Sequence, residues 1–185
     1  MIENKLLEDL VFVTSNPNKA REASQILGVN ITHNNPGELM EIQTSDVLAL
    51  VEYKAIKAWE IIKSPLLVED SGLFFDAWNG LPGAFVKWFE QSIGCSGILK
   101  MLGPFENRKA VALCCVGFNN GSRIQVVKGE VRGHIADKEI GVNGFGWDTI
   151  FIPEGYDRTY GEMSAEEKNA ISHRKIALES LKKIL

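Results

Sequence analysis

The chain has 185 residues, of which 45% are hydrophobic and 24% charged, and its formal net charge is −4. These are the proportions of an ordinary globular domain with room for a sizeable core. The negative balance disfavours a general nucleic-acid binder, and the longest apolar run, Ala110 to Phe118, is far too short to cross a membrane.

From the N-terminus, MIENKLLEDL carries acids and no apolar signal core, so no secretory peptide is expected. Leu10 to Thr14 reads as a short buried strand. Asn18 to Leu27 then sets Ala20, Ala23, Ile26 and Leu27 on one helical face, closed by Gly28. Between them, Thr14-Ser15-Asn16-Pro17-Asn18-Lys19 delivers hydroxyls, an amide and a lysine into a helix start. That combination, with the helix dipole behind it, suits a phosphate. A plain turn capped by Asn18 accounts for the same residues. The Walker pattern GxxxxGK[ST] is absent.

Asn30 to His33 is a candidate second strand. From Thr44 to Lys63, Leu48, Val51, Ala55, Trp59 and Ile62 mark one long amphipathic helix. Lys54 and Lys57 both lie on it, and one of the two is expected to be solvated surface. Leu66 to Glu69 forms another strand, ending in Glu69-Asp70-Ser71-Gly72. Successive strand residues face opposite sides, so only one of the two carboxylates should reach a ligand crevice. There it can hold Mg²⁺ or take a proton from water, and an acidic residue starting a turn before Gly72 accounts for the same stretch. Glu41, in the loop before the long helix, offers a second metal oxygen.

After Asn79 to Gly83, a helix through Phe85, Trp88 and Phe89 is expected, with the Lys87 stem crossing an apolar neighbourhood. Ala110 to Phe118 and Arg123 to Arg132 flank Asn119-Asn120-Gly121-Ser122, a hairpin signal. The three cysteines, Cys95, Cys114 and Cys115, include no CxxC pair and read as reduced buried thiols. Cys114 and Cys115 should point to opposite faces of their strand.

Gly144-Phe145-Gly146-Trp147-Asp148 frames aromatic rings with glycines, which suits stacking on a nucleobase, or equally a loop that plugs the core. Ser164-Ala165-Glu166-Glu167 fits a capping box. Ser172 is a natural cap for a last helix carrying Ile176, Ala177, Leu181 and Ile184. That places His173 and Arg174 in a first turn, where cations are disfavoured. Recognition of a carbonyl or phosphate oxygen is one reason for cations there, and an ordinary surface turn is the other reading. The succession of elements gives an α/β fold with a mixed sheet.

In chain order, TSNPNK from Thr14, EIQ at Glu41, VEDSGL around Asp70, LPGAFVKWF around Lys87, FGWDTIF from Phe145 and EMSAEEKNAISHR from Glu162 resemble the inosine triphosphate pyrophosphatase family. The resemblance spans almost the whole chain. It implies one nucleoside triphosphate pyrophosphatase domain over 1–185, an elongated mixed β-sheet flanked by helices. The family's fold has two lobes with the nucleotide in the cleft between them. It also implies a cytoplasmic homodimer with no membrane or nucleic-acid partner, acting on a purine nucleoside triphosphate with Mg²⁺.

By the same resemblance, Thr14, Ser15, Asn16 and Lys19 belong to the phosphate-binding loop. Glu41 and Asp70 match the metal-binding acids, and Asp70 is also the proton acceptor. Lys54, Ser71 and Lys87 fall on further substrate contacts. Phe145, Gly146, Trp147, Asp148, Lys168, His173 and Arg174 fall on nucleotide- and base-recognition positions. Two residues depart from the family pattern, Thr149 for a proline and Gly161 for an alanine, and a looser backbone is expected at both. The implied reaction is hydrolysis of ITP, dITP or XTP to the monophosphate and pyrophosphate, which cleanses the nucleotide pool. The rival readings are a Maf-like pyrophosphatase for other modified nucleotides and a catalytically silent nucleotide sensor.

Overall fold

Val11–Val13 (β1) holds the centre of a parallel trio, with Thr32–Asn34 (β2) on one side and Leu66–Phe75 (β3) on the other. A computed structural model describes residues 10–37 and 39–185, so the acidic N-terminal stretch that argues against a secretory peptide lies outside them. With strands on both sides, β1 buries Phe12 and Val13 on its two faces.

Beyond this trio the sheet turns antiparallel. β3 pairs with Lys109–Asn119 (β5), β5 with Ile124–Ile135 (β6), and β6 with Phe151–Pro153 (β7). The short strand Pro82–Gly83 (β4) pairs beside β3, completing a seven-stranded mixed sheet in the order β2-β1-β3-β5-β6-β7. The expected α/β class and the hairpin at Asn119–Ile124 are both present.

Helices cover both faces. Pro17–Leu27 (α1) and His173–Lys182 (α5) pack Ala20, Ala23, Ala177 and Leu181 against Phe12, Cys114 and Phe118. Val47–Ile62 (α2) packs Val47, Val51 and Ala55 against the opposite side, where Cys115 points. The two adjacent cysteines thus serve different core layers, as alternation requires. Val86–Leu102 (α3) covers the far ends of β3 and β5 with Val86, Ile98 and Leu102. It is interrupted by non-helical backbone at Gly94. Ala165–Ile171 (α4) begins at Ser164 with the expected capping box and hands over to α5 at Ser172, whose side chain accepts the Lys175 N–H at 3.2 Å.

Several local expectations shift. The cap of α1 is Asn16, whose side chain accepts the Asn18 N–H at 2.9 Å, rather than Asn18. Pro17 then fills the first helical position, where its missing N–H costs nothing. α2 is capped by Asp46, and its inward stripe runs through Val47 rather than Leu48, which is 39% exposed. Ile176 of α5 is likewise exposed and Leu178 takes the buried place. The backbone is hydrogen-bonded at both departures from the family pattern. The Thr149 carbonyl accepts from the Ile140 N–H, and the Gly161 carbonyl accepts from Val142 and Asn143.

β3 is the largest correction. It does not end at Glu69 but continues to Phe75, and Asp70 and Ser71 sit mid-strand opposite Cys115 and Cys114. A turn at Gly72 is replaced by close packing. A Cβ there would stand 2.7 Å from the Phe74 ring and 2.9 Å from Val47.

Candidate functional site

β1 is paired with β3 through Leu66 and Leu67, and along that edge β3 has no strand partner among the described residues from Val68 until β4 joins it at Leu73. The chain after Val13 turns away into α1, so the sheet opens between Thr14–Lys19 and Glu69–Gly72. Open α/β sheets take ligands where neighbouring strands part in this way. A cavity of about 430 Å³ lies there, within the range of nucleotide-sized sites.

The cavity gathers residues from distant parts of the chain. Thr14, Ser15, Asn16, Lys19, Lys54, Asp70, Ser71 and Lys87 line it. So do Phe145, Gly146, Trp147, Asp148, Lys168, His173 and Arg174. Glu41 lines the two adjoining depressions and reaches this group through Lys54.

The first set is a chain of alternating charges. Lys19 Nζ lies 3.3 Å from Asp70 Oδ1 and 3.3 Å from Glu69 Oε1. Lys54 Nζ donates to Asp70 Oδ2 at 2.9 Å and to Glu41 Oε1 at 2.7 Å. Burial alone would raise the Asp70 carboxyl, but Lys19 and Lys54 outweigh it and hold it below its ordinary range. Burial would likewise lower the Lys54 ammonium, and Asp70 and Glu41 reverse that. Lys57 instead pairs with Glu60 one turn along the exposed side of α2. Lys54 is therefore the inward lysine.

The neighbouring carboxylates divide as strand alternation requires. Glu69, 2% exposed, accepts from Arg174 Nε at 2.8 Å, Arg174 Nη2 at 3.2 Å and Ser71 Oγ at 2.8 Å. Burial opposes its ionisation, but Arg174 and Lys19 hold its carboxyl far below the usual range.

The second set is a buried ionic cluster. Asp148 accepts from the Phe145 N–H at 2.8 Å and from Lys168 Nζ at 2.5 Å. Burial pushes the Asp148 carboxyl upward against both donors. Lys168 also donates to Glu22 at 2.8 Å, and Arg174 Nη1 donates to the other Glu22 oxygen. The Lys168 ammonium stands 4.6 Å from the centre of the Phe145 ring. Trp147 is a core residue, edge-on to Phe151, with its ring 5.2 Å from that of His173. Phe145 is the half-buried ring of the pair.

His173 and Arg174 do occupy the first turn of α5. Two carboxylates, Glu22 and Glu69, compensate the Arg174 charge. Burial, with Arg174 and Lys168 beside it, keeps the His173 imidazole well below its ordinary pKa and hence neutral. Its Nδ1 is buried without a hydrogen-bond partner among the described residues.

Sequence reasoning missed Glu22, which joins Lys168 to Arg174 while 5% exposed. The available signal was its place three residues after Lys19 on α1, next to the apolar stripe. It also missed Glu90 and Gln91 of α3, both of which line the cavity.

A family model for the Ham1 family matches residues 10–184. A Trypanosoma cruzi protein named inosine triphosphate pyrophosphatase 2 is 43% identical over 176 residues, 94% of this chain and 90% of that one. The inosine triphosphate pyrophosphatase of Schizosaccharomyces pombe is 40% identical over 183 residues, 97% of this chain and 96% of that one. A solved HAM1 protein from Coxiella burnetii has the same fold, with a TM-score of 0.80 at 29% identity over 95% of this chain and 98% of that one.

Proposed function

This chain belongs to the Ham1 family, and from that premise we propose that it hydrolyses deaminated purine nucleoside triphosphates to the monophosphate and pyrophosphate. The observation that carries the reading is the Asp70 carboxylate held between Lys19 and Lys54 in the same cavity as the buried His173–Arg174 pair. One group suits the triphosphate and the other a base.

Lys19, Lys54 and Lys87 bind and neutralise the triphosphate, with the polar turn Thr14–Asn16 alongside. Asp70 orients a water and accepts its proton as the water oxygen bonds to the α-phosphorus. The bond from that phosphorus to the bridging oxygen breaks, and pyrophosphate leaves with the electron pair. Free of substrate, the lysines make Asp70 a weak base. Substrate phosphates compete for the same ammonium groups, and Asp70 gains proton affinity as they are drawn off.

Glu41 and Asp70 come from separate segments yet converge on one cation, the Lys54 ammonium. Two carboxylates so placed suit Mg²⁺, which favours one or two carboxylates together with substrate phosphates. Held there by Glu41 and Asp70, the ion would supply Lewis-acid neutralisation of phosphate charge.

Selectivity follows from donor arithmetic. A guanidinium has five N–H groups, and Arg174 commits three of them to Glu69 and Glu22. The remaining donors and the neutral His173 suit an acceptor oxygen at C6 of the base, which adenine replaces with an amino donor. A site built on such a bond can reject its mismatch by roughly 10⁴–10⁵. Phe145 is the ring for the base face.

A homodimer in the cytoplasm, with no membrane or nucleic-acid partner, belongs to the same proposal by resemblance. Among the described residues, no helix is long and apolar enough to cross a membrane.

The deciding experiment incubates the protein and Mg²⁺ with ITP, XTP, GTP and ATP separately and measures pyrophosphate and orthophosphate. Pyrophosphate from ITP and XTP, far faster than from ATP or GTP, is expected. Orthophosphate would move the attack to the γ-phosphorus and overturn the mechanism.

A further inference from the structure

The ladder between β1 and β2 loses a donor where β1 gives way to the turn Thr14–Lys19. The Thr14 N–H donates to the Asn34 carbonyl at 3.0 Å. In a parallel ladder, the carbonyl of that same residue accepts from the N–H two places further along the partner chain. That place is Pro36, which has no N–H to give. The Thr14 carbonyl instead lies 2.7 Å from Nε2 of His33, a residue of β2. A carbonyl oxygen only accepts, so Nε2 carries the proton and donates it. Thr14 is 8% exposed, and a carbonyl at that depth needs a donor.

This bond fixes the plane of the Thr14–Ser15 peptide. The peptide is trans, so its C=O and N–H point to opposite sides. With the carbonyl turned toward β2, the Ser15 N–H points to the β3 side. There the pairing of β1 with β3 has ended at Phe12 and Leu67, and the cavity opens.

The other N–H groups of the turn are committed. Asn16 donates to Thr14 Oγ1 at 3.1 Å, Asn18 to Asn16 Oδ1 at 2.9 Å, and Lys19 to the Asn16 carbonyl at 3.1 Å. Pro17 has no N–H. The Ser15 N–H has no acceptor among the described residues, and Ser15 lines the cavity. It is the backbone donor that the turn offers to a ligand oxygen.

His33 does not line that cavity, and its influence on the site runs through one carbonyl. We propose that His33 is a positioning residue, which holds the Thr14–Ser15 peptide so that the Ser15 N–H donates to a phosphate oxygen of the bound nucleotide. This deepens the nucleotide-binding reading and rests on it. Without the His33 donor, the Thr14 carbonyl turns toward water, and the Ser15 N–H turns with it.

The test titrates ITP by calorimetry, without added Mg²⁺, into wild type, His33→Ala, His33→Asn and His33→Gln, with a denaturant titration of each. Glutamine carries its amide nitrogen as many bonds from Cα as histidine carries Nε2, whereas the asparagine nitrogen is one bond nearer. His33→Ala and His33→Asn should weaken ITP binding by roughly 3- to 10-fold, the scale of one hydrogen bond. His33→Gln should keep most of the wild-type affinity. The contrast between His33→Asn and His33→Gln decides even where His33→Ala fails to fold. A merely structural bond would lower the denaturation midpoint and leave ITP affinity unchanged. That result, or an equal loss of affinity in His33→Asn and His33→Gln, would overturn the assignment. The expected pattern without ITP turnover would uphold it and overturn the hydrolysis reading alone. Failure of wild type to bind ITP would overturn both.

Discussion

Glu69 and Arg174, 105 residues apart in sequence, meet through two parallel hydrogen bonds of 2.8 and 3.2 Å in the interior. The next residue, Asp70, is engaged by Lys19 and Lys54 instead. Strand β3 therefore carries two carboxylates with separate partners, and on the proposed reading one anchors a base-side arginine and the other faces the phosphates. Lys19, within reach of both, ties the tasks together.

Removing Glu69 should unfold the site before it alters chemistry. Glu69→Ala leaves the buried Arg174 with Glu22 alone, and breaking a buried pair typically costs about 3–5 kcal/mol. Denaturant titration should show that loss, with Glu69→Gln losing less because it keeps an acceptor. Wild-type stability in Glu69→Ala would show the pair to be dispensable.

Asp70→Asn separates binding from catalysis. Loss of the proton acceptor should lower kcat by roughly 10²–10⁴-fold, while Lys19 and Lys54 remain to hold ITP. Single-turnover rates and calorimetric affinity check the two halves. Near-normal turnover would remove Asp70 from the mechanism.

The two lysines of α2 should behave differently. Lys54→Ala removes the cation shared by Glu41 and Asp70 and should lower kcat/KM by roughly 10- to 100-fold, the scale of a charged hydrogen bond. Lys57→Ala, which removes an ion pair with Glu60 and a contact with Tyr53 on the exposed side, should match wild type. Equal effects would contradict the inward placement of Lys54.

Stability should fall on mild acidification. Burial above all, then Arg174 and Lys168, depress the His173 pKa, so the unfolded chain takes up the proton first. Its contribution is complete above the unfolded value of about 6.5 and is lost as pH falls below it, at up to about 1.4 kcal/mol per pH unit. The depressed carboxyls of Glu69 and Asp70 have the same sign, and their contribution is lost below about pH 4–4.5. Denaturant titrations from pH 7.5 to 5 should show the first limb, and His173→Gln should flatten it. An identical slope in the variant would assign the limb to another group.

By itself the sequence determined what depends on near neighbours. Ser164 and Ser172 cap their helices because each cap bond spans three residues. Asn120–Arg123 turns a hairpin because its bonds also span two or three residues. Only the tertiary structure decided how far β3 runs, because pairing with β5 outweighs the turn propensity of Asp70-Ser71-Gly72. It alone decided that Lys54 rather than Lys57 faces inward and that Glu22 closes the circuit from Lys168 to Arg174. A buried charge is tolerated only beside its opposite, and here those opposites lie as far as 146 and 152 residues away. No local signal spans such distances. The packing of α1, α5 and β3 brings the partners together.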